Sequence, residues 1–558
     1  MTKRSGLLLA VLLATAFLLL NHAAYRGYFQ SDELDNLAWA PTTPLTTYLF
    51  QVLSPAFQAD NFRPVGHFFF YAAGNLFGLN FPPYLIALQA FHLLNVWLLW
   101  LVVRRLGAPP LAAGAATAFF ALHLALFDAF WKPMYVFDVL SATFCLLSLL
   151  CYMRGRWILS ILSFWLAYKS KEVAVMLPVV LAGYELWFGK RRWKPLVPFF
   201  LISLSFGLQG VLRNPNVNND YTFRFTPAAL AKTSVFYAGR VFLVPYLGFA
   251  LPLAAWLSRT RRTWFGLAML AALLVPMLFL PGRVFAAYCY VPFLGLAVCA
   301  SGVAEKAHPA AIAAFFLLWT PLELHELHIQ RRPTLALDDQ VREWVTTLDR
   351  YSAKAPAPRA VVYSGIIPGF ASWGMEGAIH CIFGDLNLPV RSIDNGGADL
   401  LTKDGAILLV WKPGFRKLTI VDSETLSIHP SYLRMDGTEP PGDLVEGWYK
   451  LEDDFRWIAP HSVVRLRRPA DARGFSLRGG ASGDMLRAVG PVTVRVAIDG
   501  RELPARQLDK PGRQTIRWEV PPAPAGYVLV TIDARPPFHP PNDSRALGLA
   551  VAALGFEP

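Results

Sequence analysis

Residues 6–20 read GLLLAVLLATAFLLL and residues 31–35 read SDELD. The first stretch is an uninterrupted apolar run behind Lys3 and Arg4, and the second places three carboxylates just beyond it. A chain that merely crosses a bilayer has no structural need for three acids outside its first span. The two stretches together read as a membrane helix that delivers proton acceptors to the bilayer surface. The apolar run resembles a signal-peptide core, but Asn21-His22-Ala23-Ala24 is a poor cleavage site. A retained signal anchor is expected.

The rest of the chain extends this reading. Of 558 residues, 54% are hydrophobic, and the mean hydropathy is +0.37. That is too apolar for an ordinary soluble protein and points to a multi-span membrane protein. The net charge of +13 fits basic cytoplasmic loops, and no basic stripe interleaved with aromatics marks a nucleic-acid surface. Cys145, Cys151, Cys289 and Cys299 lie in apolar runs, and Cys381 is alone in the polar part. No paired spacing indicates a disulfide framework or a thiolate metal site.

About eleven apolar spans are expected, near 6–22, 82–103, 110–127, 135–153, 157–168, 172–188, 195–212, 229–257, 263–280, 284–303 and 308–326. The 229–257 run is long, with Pro245 and Pro252 as expected kinks. Lys3/Arg4, Arg104/Arg105, Arg154/Arg156, residues 190–194, residues 259–262 and Lys306 fall at alternate span ends. The positive-inside rule makes those ends cytoplasmic. The opposite side then receives the residue 31–35 acids, Arg63, Asp128, Lys132, residues 169–172, Arg224, Arg283 and the C-terminal part. Residues 65–77 are aromatic-rich and too short to span, and read as an interfacial helix.

Beyond residue 329 the pattern changes. An amphipathic helix is expected over 335–351, strands over Ala360–Ser364 and 406–411, and a helix near 374–382, giving a small α/β unit over 330–440. From 441 onward, short alternating runs at 462–466, 492–498, 515–520 and 527–532 read as a β-sandwich. Trp448, Trp457 and Trp518 lie there, where they either stack on sugars or pack in a core. The expected fold is an α-helical polytopic membrane domain over 1–329, followed by these two periplasmic units.

Several local patterns occur in order over residues 1–330: the acids of 31–35; Asn61-Phe62-Arg63-Pro64; Phe91-His92-Leu93-Leu94-Asn95; Leu122-His123 through Asp128, with Trp131 and Asp138; Lys169-Ser170-Lys171-Glu172 with Pro178; and Arg283 with Tyr288, Tyr290 and Pro292. Together they make the chain resemble the GT-C class of integral-membrane glycosyltransferases. Within that class it resembles the bacterial relatives of protein O-mannosyltransferases and of the TPR-bearing transmembrane O-mannosyltransferases. The chain departs from that pattern in reading His123-Leu124 where His-Pro is usual, and it carries no TPR repeats.

The resemblance implies transfer of a single sugar, hexose or pentose, from a polyprenyl-phosphate donor to a protein or glycan acceptor outside a bacterial inner membrane. A carboxylate must then take the acceptor's proton, and fixed cations must hold the departing phosphate. Asp32 is the expected base, with Glu33 or Asp35 as the alternatives and a solvated acidic loop as the plain reading. Asp128 and Asp138 are further supporting acids. Arg63, Lys169, Lys171, Glu172 and Arg283 are expected around the donor phosphate, and His67, His123 and Tyr288 in the pocket. His92 and Asn95 read better as interhelical hydrogen-bonding groups. No cofactor is called for. His325 and His328 are i,i+3 with no evident third ligand, so no metal is assigned. A lipid-glycan flippase and a non-catalytic assembly protein are the rival readings. The first would need internal repeats or broken helices in matching halves, and none is evident.

Overall fold

A computed structural model describes residues 3–56, 63–213, 219–395, 397, 400, 405–421, 430–437, 443–541 and 543–557. Asn61 and Phe62 of the expected Arg63 motif lie outside the described residues. The chain divides into two compact units, Met1–Arg342 with Pro368–Cys381, and Glu343–Ile367 with Ile382–Pro558.

The first unit is helical. Phe81–Arg105, Pro110–Trp131, Pro133–Met153, Arg261–Leu278 and Pro309–Ser352 are long and apolar enough to cross a membrane. Ala10–Leu20 and Leu247–Ser258 are shorter apolar helices. Phe81–Arg105 shows how sequence sets these bounds. Prolines occupy its first turn, where their missing N–H costs nothing, and Arg104 and Arg105 close its last turn against the negative end of the helix dipole. Arg261–Leu278 and Pro292–Lys306 lie so close that a Cβ on Gly266 would sit 2.1 Å from the Cys299 backbone nitrogen. Small residues at such a crossing let the backbones touch. His92 and Asn95 add hydrogen bonds between helices, both meeting the Tyr290 hydroxyl, at 2.8 and 3.2 Å.

Two expectations need correction. The 229–257 run is not one kinked helix but two, Pro227–Val241 and Leu251–Ser258. Leu243 and Tyr246 take positive φ between them, next to Pro245, which cannot supply a helical N–H. The boundary near 329 is also absent as a break, because Pro309–Ser352 runs as one helix through Pro321 and Pro333.

The second unit holds two sheets. The smaller has the order β2-β1-β3-β4, for Val390–Ser392, Ala360–Ser364, Ala406–Lys412 and Lys417–Val421. Its first three strands are parallel and the last is antiparallel. The larger has 10 strands in one hydrogen-bonded sheet rather than two separate ones: seven follow a single path, and Tyr432–Arg434, Leu444–Glu452 and Arg506–Leu508 pair onto it from outside that path. Phe455–Arg468 makes this possible by changing partner along its length. Arg456–Ile458 pair with Leu549–Val551, and residues 461–468 pair with Gly526–Asp533. Side chains from both arms, among them Val464, Val496, Val530, Phe475, Leu477 and Leu554, share one core. Trp518 is buried in that core, with Trp448 and Trp457 packed against it. The Trp518 ring is therefore spent on packing rather than offered to a sugar, while Trp448 and Trp457 stay partly buried.

Candidate functional site

The acids of residues 31–35 form the start of a helix, Ser31–Trp39, and their roles separate there. Glu33 is buried. Its two oxygens accept from the backbone N–H of Gln30 and of Met134, each at 3.1 Å. It closes its own helix and ties it to the turn before Val136–Met153. That is a structural task, so Glu33 is not a free supporting acid. Burial pushes its carboxyl up to about 7, against the Met134 backbone N–H, which opposes the rise. Asp35 is half-buried and is pushed up to about 6, by burial first and then by the Asp32 charge.

Asp32 is the exposed member of the three, in the first turn, where the helix dipole favours a carboxylate. The Trp373 indole nitrogen donates to its Oδ1 at 2.8 Å. Trp373 belongs to the segment Pro368–Cys381, which groups with the helical unit although it follows the helix Pro309–Ser352 in sequence. The backbone N–H of Ala371 donates to the Ser31 hydroxyl at 2.9 Å. Cβ atoms on Gly374 and Gly377 would stand 2.4 Å from the Ser31 Cα and 2.6 Å from the Asp35 Cα. The two glycines let backbone lie on backbone and set Trp373 beside Asp32.

A set of cations joins through Tyr288. Arg63 is the N-cap residue of Pro64–Phe77, at φ −128° and ψ 56°, and its Nε donates to Glu172 at 2.7 Å. Lys171 sits at the extended break between Trp157–Ser170 and Glu172–Met176. Its Nζ donates to Asp138 at 2.8 Å and lies 5.0 Å from the Tyr288 ring centre. Arg283 donates to the Tyr288 hydroxyl at 3.3 Å, over the Tyr221 ring at 4.4 Å. Among the described residues no ion pair forms on Arg283, and its Nε is buried without a hydrogen-bond partner. Asp32 is near enough to act electrostatically on Arg283. One basic constellation, with two built-in carboxylate counter-ions, therefore stands by one exposed acid.

Other expected residues lie at varying distance from this group. His67 packs between Trp39 and Phe137, with ring centres 4.8 and 4.9 Å away. Burial, helped by the Arg63 charge, lowers its value to about 3, so the ring is neutral at physiological pH. Asp128 is paired with Lys132 at 2.8 Å. Lys169 points elsewhere, its Nζ 5.4 Å from Phe206 and 5.7 Å from Trp165. His123 is buried among Phe119, Phe293 and Trp319, with Nε2 3.0 Å from the Val241 carbonyl and Nδ1 3.4 Å from Glu323. It is a packing residue rather than a pocket group. Glu172 holds Arg63 rather than any anion. Among the described residues no group of three or more His, Cys, Asp or Glu side chains could hold a metal ion.

Trp373 and Tyr221 escaped the sequence reading. Trp373 lies 341 residues from Asp32 and carries no local motif.

No family model matches the sequence, and no curated protein matches it. Among solved structures, the chain is similar to ArnT from Cupriavidus metallidurans bound to undecaprenyl phosphate, at 13% identity and a TM-score of 0.46, covering 76% of this chain and 98% of that one. The apo form of the same protein gives 13% identity and a TM-score of 0.46, with 76% and 99% covered.

Proposed function

We propose that the chain is a GT-C-type glycosyltransferase of a bacterial inner membrane, with about eleven spans, a cytoplasmic N-terminus and periplasmic C-terminal domains. It transfers one sugar from a polyprenyl-phosphate donor to an extracytoplasmic protein or glycan. The observation that carries the reading is the gathering of Arg63, Lys171 and Arg283 around Tyr288, with Asp32 within electrostatic reach.

The acceptor oxygen attacks the anomeric carbon as its proton passes to Asp32, and the bond between that carbon and the phosphate oxygen breaks. Both of its electrons leave with the polyprenyl phosphate, whose charge grows in the transition state. Among the described residues Arg283 has no carboxylate partner to exchange, and it meets that charge first. Lys171, already balanced by Asp138, supports it from beside the Tyr288 ring. Single displacement inverts the anomeric centre.

The test is transfer of radiolabelled sugar from a panel of polyprenyl-phosphate sugars in proteoliposomes. Asp32→Asn keeps the side-chain shape at an exposed position and lowers kcat by roughly 10²–10⁴-fold, with donor KM unchanged. Wild-type transfer by that variant would refute the base assignment.

A further inference from the structure

We propose that Trp373 is the acceptor platform of the Asp32 site and that the acceptor is a saccharide. This rests on the transferase reading above and names its substrate class. Trp373 is 53% exposed, yet it lies outside the apolar helices whose exposed tryptophans have a lipid environment to face. A half-exposed indole in a polar setting costs apolar hydration unless something covers it. Its edge is committed, because the indole N–H is given to Asp32 at 2.8 Å. Its position is also committed, by Gly374 and Gly377 against the Ser31–Trp39 backbone. A ring fixed at its edge and open beyond it is arranged to stack.

Its neighbours fit the same class of partner. Trp373, Glu376 and His380 recur at i, i+3 and i+7 and so share one helix face. Glu376 and His380 both act electrostatically on Asp35. An aromatic face beside several carboxylates and an imidazole matches a sugar ring, which offers a C–H face to stack and hydroxyls to donate. An extended peptide bearing a Ser or Thr hydroxyl offers no such face. Stacking sets the ring so that one hydroxyl reaches Asp32, while the indole N–H holds the receiving carboxylate in one rotamer. In its contact with Asp32, Trp373 is a positioning residue.

The experiment uses the full chain in proteoliposomes with labelled donor, and compares oligosaccharide with Ser/Thr-peptide acceptors for wild type, Trp373→Phe, Trp373→Ala and Asp32→Asn. Trp373→Phe keeps a ring and loses the N–H, so kcat falls by roughly tenfold with acceptor KM little changed. Trp373→Ala loses both, so acceptor KM also rises by roughly tenfold. Donor KM stays constant in both. An independent readout is 19F NMR of 5-fluorotryptophan-labelled protein, in which the resonance missing from Trp373→Phe shifts when β-1,4-glucosamine, α-1,4-glucose or α-1,6-mannose tetrasaccharides are added. Unchanged kinetics in Trp373→Ala, transfer to peptides alone, or a resonance that none of the tetrasaccharides moves would each overturn the inference. An inactive Asp32→Asn beside a fully active Trp373→Ala would sink this inference and leave the transferase reading standing. An active Asp32→Asn would sink the base assignment instead.

Discussion

The Lys171–Asp138 pair separates what the site's charges do for folding from what they do for chemistry. Both side chains are almost fully buried, 8% and 4% exposed, with Nζ and Oδ2 at 2.8 Å. At that distance and an effective dielectric near 20, their attraction is roughly 6 kcal/mol. Removing two ions from water offsets most of it. The net value of the pair is therefore small, while breaking it is costly. Lys171→Met leaves the Asp138 carboxylate buried and uncompensated, and Asp138→Leu strands the ammonium, each at a cost of about 3–5 kcal/mol. The double variant removes both charges and recovers most of that loss, giving a coupling of several kcal/mol. Equilibrium unfolding of the full chain in mixed detergent micelles by SDS titration measures all four corners of the cycle. Sugar transfer from the polyprenyl-phosphate panel is measured on the same preparations. Stability returns in the double variant and transfer does not, because Lys171 is the group beside Tyr288 that the proposed reaction sets against the donor phosphate. Single costs that simply add, with coupling below about 0.5 kcal/mol, would refute the buried pair. A double variant that transfers sugar normally would refute the role of Lys171.

Two further outcomes test the frame around the site. The Glu33 carboxyl stands at about 7 in the folded chain against 4.5 in its ordinary state. The folded state therefore holds a proton that the unfolded state releases, so stability is fully present below pH 4.5 and is lost as pH rises through 7. Measured as the difference from Glu33→Gln, the unfolding midpoint should fall across that window, while Asp35 and Asp338, each raised from 3.8 to about 6, and His67, lowered to about 3 and opposite in sign, contribute equally to both chains. An unchanged slope in the variant would remove Glu33 from the account. Gly266→Ala puts a methyl against the Cys299 backbone, which cannot yield as a side-chain tip does, and costs about 1–3 kcal/mol in the same micelle titration. Gly210→Ala, inside the helix Val197–Arg213 with nothing within 4 Å, is the control that carries only alanine's helix-propensity gain of up to about 1 kcal/mol, and equal midpoints for the two would count against the close helix crossing.

Most of the helical part was legible because its signals are local. Apolar runs bounded by proline and arginine mark Phe81–Arg105 and Val136–Met153 to within a few residues. A break shows as clearly when charges interrupt the run, as Lys169 to Glu172 do between Trp157–Ser170 and Leu177–Trp187. Where the signal was ambiguous, packing decided. The 229–257 run carries enough apolar residues for one helix, and its prolines forced two. The run past Leu327 turns polar, yet the helix continues to Ser352, because its hydrogen bonds do not depend on the apolar pattern that was read. In the β-rich unit the alternation marked strands but not partners, so the path that Phe455–Arg468 joins by changing partner along its length was hidden.

By itself, the sequence determined a membrane-type chain with acids after its first apolar run, and it marked Arg63, Lys171 and Arg283 as cations in unusual places. These are properties of composition, spacing and neighbouring residues. Tertiary structure alone decided how near equivalents diverge. Among adjacent acids it spent Glu33 on two backbone N–H groups and left Asp32 open. Among neighbouring lysines it turned Lys171 to Asp138 and Lys169 to aromatic rings. It also brought Trp373 to Asp32 on the separate helix Ser372–Phe383, far along the chain. The physical reason is common to all three: burial, pairing and hydrogen-bond geometry depend on what the folded chain places within a few ångströms, and separation along the sequence does not encode that distance.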